Sequence, residues 1–246
     1  MSWAAGLIDA VGWLALLHVY AAHMTGNTAA AGVNLFGGDW EQASRHAWPI
    51  VPFVLGLLFS AGTTAAARRH GWHSSFSIAL FTELALLAAF MWFGMRYSVN
   101  GELKQASNFY ALIALPAAAM GIQTVTVTRV AGLRVYTTYL TGSLAKFAEA
   151  ATQYAFWFYD RTRGRLRKRL WKALQVTPRH RYARHAALTA VLWLSYIIGA
   201  FCGAFLHNRY GLLAVLAALI VLVIAILIDL ISPVAAADEP GSFDDS

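Results

Sequence analysis

The chain has 246 residues, of which 59% are hydrophobic and only 13% are charged, and its mean hydropathy is +0.53. A soluble domain carries about 25% charged residues, so this composition excludes an ordinary water-soluble protein and indicates a polytopic helical membrane protein. The net charge of +7 is not a sign of nucleic-acid binding, because the basic residues lie mostly in loops, as membrane topology demands. The single cysteine, Cys202, excludes an internal disulfide and an all-cysteine metal site.

Four apolar segments are long enough to span roughly 30 Å of hydrocarbon as helices. A fifth is interrupted only near its end by Asp229, and the N-terminal segment is a weaker sixth. In chain order the predicted spans are Trp3–Ala22, Pro49–Ala67, Ser74–Met95, Asn108–Thr128, Ala186–Leu206 and Leu212–Ile231. With six spans, most loop lysines and arginines fall on one face, which places both termini in the cytoplasm of a bacterial inner membrane. An eight-span alternative fits the charges less well.

Two motifs occur twice. Val19–Asn27 is echoed by Val135–Ser143, 116 positions later, and Gly6–Asp9 is echoed by Gly121–Thr124 at an offset of 115. Self-similarity of this kind indicates a duplicated unit. An odd number of spans in each copy would invert the second copy relative to the first, which is the architecture of many secondary transporters.

The duplication sets the predicted domains. Residues 1–96 form a first membrane repeat and residues 108–234 a second, with a basic cytoplasmic insertion at 160–184. Residues 235–246 are acidic and rich in small residues, which is typical of a disordered tail.

Each repeated Thr-Gly motif is followed by an apolar segment that is too short or too polar for a convincing span, Thr28–Phe36 in the first copy and Leu144–Tyr159 in the second. We expect a re-entrant or interfacial helix at both places; an ordinary surface loop with a capped helix is the alternative. Glycine permits a break in the helix, and short polar side chains can satisfy the freed backbone groups. These residues are Thr25, Gly26, Asn27, Thr141, Gly142 and Ser143.

Basic and apolar residues alternate at helical spacing over Arg161–Lys172. This pattern predicts a basic amphipathic helix that lies on the anionic lipids of the inner leaflet. We expect no nucleic-acid partner at this helix.

A family resemblance rests on Gly-x-x-Asp-Ala from Gly6, His-Met-Thr-Gly-Asn from His23, Gly-x-Gln from Gly121 and Leu-Thr-Gly from Leu140. In this combination the chain resembles the YoaK-like bacterial membrane proteins, a domain-of-unknown-function family with six predicted spans. The resemblance implies an integral inner-membrane protein. Thr124 stands where the family usually has Asn, and the family carries more residues before its first Gly-x-x-Asp. We therefore expect a short first span, or a natural start upstream of Met1.

Ionisable groups inside spans cost about 2.5–3.5 kcal/mol at a helix centre. Glu83 falls near the middle of the third span, where it is either a proton- or ion-coupling carboxylate or a neutral acid bonded to a neighbouring helix. Asp9 beside the repeated motif has the same two interpretations, and Asp229 is expected to be a solvated span terminus. His18 and His23 are five positions apart, which does not stack them as a metal pair, so no metal site is predicted.

These patterns favour a carrier or channel for an unknown small solute. The hypothesis brings both Thr-Gly elements together near the midplane of the membrane. The candidate binding residues are Asp9, His23, Thr25, Gly26, Asn27, Glu83, Gln123, Thr141 and Gly142. The alternative is a non-transporting scaffold, lipid-binding or accessory protein. We expect no enzyme activity and no cofactor, because the chain lacks hydrolase, P-loop and dinucleotide fingerprints. Gly199–Gly203 offers a small-residue face for a homo-oligomer.

Overall fold

The structure is a computed structural model, and it describes residues 1–70, 77–99, 102–103, 106–126, 129–130, 133–134, 140–162, 177 and 180–231. This part of the chain is almost entirely helical. The helices are α1 (Ser2–Ala15), α2 (Met24–Phe36), α3 (Trp40–Ala47), α4 (Ile50–His70), α5 (Ser77–Tyr97), α6 (Ala106–Thr126), α7 (Leu140–Thr162), α8 (Arg181–Tyr210) and α9 (Val215–Ile231). Two short antiparallel ribbons, which the sequence patterns did not predict, pair Ser98–Val99 with Glu102–Leu103 and Arg129–Val130 with Leu133–Arg134.

Four stretches of the described chain are long and apolar enough to cross a membrane, namely Trp40–Ala67, Ser77–Tyr97, Asn108–Thr126 and Arg181–Ile231. The last contains α8 and α9, which a short 3-10 turn at Gly211–Ala214 separates. Gly211 has a φ of 60°, a conformation that glycine adopts without steric cost. The chain is therefore an all-helical, multi-pass membrane protein, as its composition predicted.

Helix α1 is shorter than the predicted span Trp3–Ala22, which agrees with the expectation of a short first span. Helix α1 ends at Ala15 instead of Ala22, so its 14 residues extend about 21 Å at 1.5 Å per residue. The helix is interrupted there, because Leu17 and His18 both have positive φ angles, 53° and 62°. The residues up to His23 form a non-helical segment that we call the unwound segment (Leu16–His23).

Glycine packing joins α1 to α8. A Cβ atom added at Gly6 would overlap the carbonyl oxygen of Tyr196, and one added at Gly199 would overlap that of Trp3. Gly203 lies equally close to the backbone of Leu7. Trp3 lies at Gly199 and Leu7, four residues later, lies at Gly203, so the two helices run parallel. The predicted oligomer face at Gly199–Gly203 is therefore wrong, because both glycines are occupied inside the chain.

A second glycine contact joins α4 to α6. A Cβ atom at Gly56 would overlap the carbonyl oxygen of Ala118, and one at Gly121 would overlap that of Phe53. One turn further along, the hydroxyl oxygens of Ser60 and Thr126 lie 3.1 Å apart. These helices also run parallel.

Helix α5 runs antiparallel to α9. The Ser77 hydroxyl at the start of α5 donates to Asp229 Oδ2 near the end of α9 at 3.0 Å, and Gly94 near the end of α5 faces Leu212 just before α9. Asp229 was predicted to be a solvated terminus. This interpretation is wrong, since Asp229 is 5% exposed and bonded to a neighbouring helix.

The predicted segment Leu144–Tyr159 is part of the 23-residue helix α7, which packs against α8. Thr28–Phe36 belongs to α2, which packs mainly against α3. Both segments are helical, as expected. Apart from Arg161 and Thr162, the predicted basic helix over Arg161–Lys172 lies outside the described residues, and so does the acidic tail at 235–246.

Candidate functional site

The unwound segment is held by side chains from the helices on either side of it. Asp9 of α1 accepts a hydrogen bond at Oδ1 from the backbone N–H of Ala22 at 2.8 Å. Asn27 of α2 pairs with both backbone groups of Tyr20: its Oδ1 accepts from the N–H at 3.1 Å, and its Nδ2 donates to the carbonyl at 2.8 Å. Non-helical backbone is tolerated at membrane depth only where protein or water satisfies its polar groups. Asp9 and Asn27 supply partners for three backbone groups of this segment, the N–H of Ala22 and the N–H and carbonyl of Tyr20.

The Thr-Gly motifs lie within helices, and in the first copy the non-helical segment precedes the motif. Helix α2 begins at Met24 and α7 at Leu140, so Gly26 and Gly142 both lie in the first turn of a helix. The predicted role of these glycines as helix breaks is wrong. Gly26 instead makes room for the imidazole of His23, which a Cβ atom at position 26 would overlap.

Three predicted residues of the Thr-Gly motifs take different places. Thr25 is exposed, as is His23, whose ring meets the ring of Tyr20 edge-on with centroids 5.2 Å apart. The side chain of Thr141 lies outside the described residues. Because α2 packs mainly against α3 and α7 mainly against α8, the expectation that both motifs form one site stays a prediction.

Asp9 also reaches a residue that the sequence did not single out. The hydroxyl of Tyr196 on α8 donates to Asp9 Oδ2 at 2.5 Å. Asp9 is 4% exposed, and within the described part of the chain no lysine or arginine forms an ion pair with it. Asp9 thus joins α1, the unwound segment and α8 through two uncharged donors. A tyrosine three residues before Gly199, on the face of α8 that meets α1, was the only signal in the sequence.

A cleft opens beside Asp9. It has a volume of about 280 Å³ and lies between α1 and α8, with the unwound segment at one end. Its polar and aromatic lining is formed by Asp9, Trp13, Tyr20 and Tyr196. The rings of Trp13 and Tyr20 lie 4.5 Å apart at an angle of 30°. The remaining lining is mostly of small residues, which leave the space open.

A second buried polar pair links α5 to α6. Gln123 Nε2 donates to Glu83 Oε1 at 2.7 Å, and both side chains are fully buried. Neither Glu83 Oε2 nor Gln123 Oε1 has a hydrogen-bond partner. The structure thus brings together two residues that the sequence analysis had selected separately, and leaves each of them with one acceptor oxygen unused.

Among the described residues no three histidine, cysteine, aspartate or glutamate side chains lie close enough to hold a metal ion. His18, at the tip of the unwound segment, packs against Trp13 with ring centroids 4.8 Å apart. His18 and His23 therefore pack against the rings of Trp13 and Tyr20, which line the cleft.

Comparison with known proteins agrees with the fold. Residues 1–228 match the model of a family described as "Protein of unknown function (DUF1275)". The chain is 27% identical over 145 residues to the UPF0700 transmembrane protein YoaK of Bacillus subtilis (strain 168). That match covers 59% of this chain and 61% of the relative. No solved structure matches the chain. Since the family model covers nearly the whole sequence, the chain belongs to the DUF1275 family, which confirms the YoaK-like resemblance seen in its motifs.

Proposed function

We propose that this protein is a small-solute transporter of the bacterial inner membrane, built from two inverted three-span repeats. The observation that carries the proposal is the unwound segment, whose backbone is bound to the buried carboxyl of Asp9 beside an open cleft. In many secondary transporters the substrate site lies where a membrane helix is interrupted at the interface between repeats.

The two glycine contacts support the repeats, because they correspond position by position. In each contact the first helix of one repeat packs on the second helix of the other, and each glycine faces an equivalent carbonyl oxygen. The first helices correspond at a constant shift of 115 positions and the second helices at a shift of 143. A weak sequence match of Ala67–Gly71 with His207–Gly211 has a similar offset, 140 positions. The equivalent pairs are Trp3 with Ala118, Gly6 with Gly121, Phe53 with Tyr196 and Gly56 with Gly199.

Helix directions support six spans over eight. If α1, α4, α5, α6, α8 and α9 cross the membrane in alternating directions, α1 runs parallel to α8, α4 runs parallel to α6, and α5 runs antiparallel to α9. All three relations agree with the contacts. If α2 and α7 crossed as well, α5 and α9 would run parallel. Six spans also place both termini on one side, which we assign to the cytoplasm from the loop charges.

Glu83 is the residue that we propose for ion or proton coupling. Its carboxyl is fully buried between α5 and α6, with one oxygen bonded to Gln123 and the other unpartnered. A carboxyl that gains or loses a proton in this setting changes the charge of the helix interface, and the helices respond by repacking.

Access to the unwound segment tests the proposal. In a Cys202→Ala background, single cysteines replace His18, Tyr20 and His23, and a membrane-impermeant thiol reagent is applied to each side of sealed vesicles in turn. A transporter exposes this segment to water from both sides, and a transported solute from a small-metabolite library protects it. We therefore expect labelling from either side and protection by one class of solute.

The matched control is Phe201→Cys on α8, which lies on an exposed apolar face and should not react because lipid covers it. If no cysteine of the unwound segment reacts from either side in folded protein, the proposal that the protein is a transporter is refuted. The Asp9 contacts are then structural, and a scaffold, lipid-binding or accessory role takes its place.

A further inference from the structure

We propose that the cleft between α1 and α8 binds a small organic cation, such as a primary or quaternary amine, with Asp9 as its counter-charge and Trp13, Tyr20 and Tyr196 as its aromatic walls. The inference rests on the proposed function, whose substrate class it names.

The charge of the cleft is the first argument. Asp9 accepts hydrogen bonds from the Ala22 N–H and the Tyr196 hydroxyl, and neither donor carries a charge. A buried carboxylate without a cation is costly, and a positively charged ligand removes that cost. Because Asp9 lines the cleft, a cation bound there reaches the carboxyl directly.

The aromatic lining is the second argument. The face of an aromatic ring attracts a cation, most strongly in tryptophan and when the site is shielded from water. Trp13 and Tyr20 form a tilted pair, with ring centroids 4.5 Å apart, at the same cleft as the carboxyl. Aromatic side chains are a recurrent means of recognising quaternary ammonium groups, and here they line the same cleft as a carboxyl group.

The size of the cleft limits the ligand. Its 280 Å³ lie just below the roughly 300–1,000 Å³ of sites for drug-sized molecules. Ala10, Ala200 and Ala204 line the wall without filling it. The cleft therefore has room for an ion of the size of choline.

The second glycine contact shows that helix packing does not require these groups. At the α4–α6 contact the position equivalent to Tyr196 is Phe53, which has no hydroxyl, and the position equivalent to Asp9 is Thr124. The Thr124 hydroxyl donates to the carbonyl of Met120 within its own helix at 2.7 Å. The same glycine packing is thus achieved without a carboxyl or a tyrosine. Asp9 and Tyr196 are therefore not needed for helix packing, and we assign them to the cleft that they line.

Equilibrium binding of radiolabelled choline to the purified full chain in detergent tests this site. We expect saturable binding that tetramethylammonium displaces and that 3,3-dimethyl-1-butanol, the uncharged isostere of choline, does not displace. Asp9→Asn should weaken binding roughly tenfold or more, because it removes the counter-charge. Trp13→Leu should weaken it roughly fivefold, because it removes one aromatic face and leaves both Asp9 hydrogen bonds in place.

Thr124→Ala and Phe53→Leu are the matched controls in the second contact, and both should bind choline like the unchanged chain. The inference is overturned if neither cation binds the folded protein, if the uncharged isostere competes equally, or if Asp9→Asn binds as well as the unchanged chain. Should Asp9→Asn not fold, unchanged affinity in Trp13→Leu overturns it.

Cysteine labelling separates this result from the proposed function. Cation binding together with an unwound segment that is closed on both sides leaves the site in place and refutes transport. An accessible segment without cation binding keeps the transporter and refutes the substrate class.

Discussion

The α1–α8 and α4–α6 contacts achieve the same close approach of two parallel helices with different surroundings. Both depend on glycines that face carbonyl oxygens of the partner helix. The first contact has a buried carboxyl, a tyrosine hydroxyl and an adjoining cleft, whereas the second has a hydroxyl pair between Ser60 and Thr126. The glycine contacts that both pairs share hold the helices together. The carboxyl, the tyrosine hydroxyl and the cleft occur only in the first pair, which is why we look for function there.

The largest effect is expected from blocking a glycine contact. Gly56→Leu on α4 should prevent folding, because even a Cβ atom at this position overlaps the carbonyl oxygen of Ala118; Gly56→Ala alone should cost about 1–3 kcal/mol. The control lies on the same helix, since Gly62 has open space around it and Gly62→Leu should be tolerated. The yield of monodisperse protein and thermal unfolding in detergent measure both.

Gly199→Ala on α8 makes the same test of the first contact, because a Cβ atom there overlaps the carbonyl oxygen of Trp3. Its cost should equal that of Gly56→Ala within about 1 kcal/mol. A mild effect at one glycine and a severe effect at the other would show that the two contacts are not equivalent.

The next largest effect should distinguish the contacts. Asp9→Ala leaves the Ala22 N–H and the Tyr196 hydroxyl without their hydrogen-bond acceptor. The free energy of unfolding should fall by about 2–4 kcal/mol. The equivalent change in the second contact, Thr124→Ala, removes a hydroxyl that donates to the carbonyl of Met120, and it should cost less than Asp9→Ala. Equal losses in thermal unfolding would contradict the asymmetry between the contacts.

The positions of the long spans could be predicted from the sequence because apolar length is a local property. Pro49–Ala67 was predicted where α4 runs from Ile50 to His70, and the other long spans agree similarly. The end of α1 could not be predicted in this way. Leu16–Ala22 is apolar enough to continue the helix, and it is the hydrogen bonds from Asp9 and Asn27 that hold it in another conformation.

Which site residues contact each other could not be predicted from the sequence either. Asp9 and Tyr196 are 187 positions apart, and no periodic pattern joins a span at one end of the chain to a span near the other. Glu83 and Gln123 were selected singly, one for its charge in a span and the other for its motif, and only helix packing places them in contact.

A smaller loss of stability is expected from breaking the hydrogen bond between Glu83 and Gln123. At the offset of 115 positions that relates Gly121 to Gly6, the position that corresponds to Gln123 is Ile8. Gln123→Ile should therefore fit sterically, yet it removes the donor to Glu83 and should cost about 1–2 kcal/mol. Adding Glu83→Met should recover most of the loss, because an apolar pair leaves no buried acceptor without a donor. Additive losses in the double-mutant cycle would show that the two side chains do not act as a pair.

The smallest effect concerns the repeated Thr-Gly motif. Gly26→Ala gains about 0.5–1 kcal/mol of helix stability, but the new Cβ atom displaces the His23 ring from its place over α2 and beside Tyr20. The two contributions should nearly cancel, so the melting temperature should change little. In a His23→Ala background the steric cost is absent, and the same substitution should then be stabilising by its full helix propensity. If Gly26→Ala is stabilising in both backgrounds, His23 is not the reason for glycine at this position. The glycine then serves the start of helix α2 alone, as Gly142 would at the start of α7.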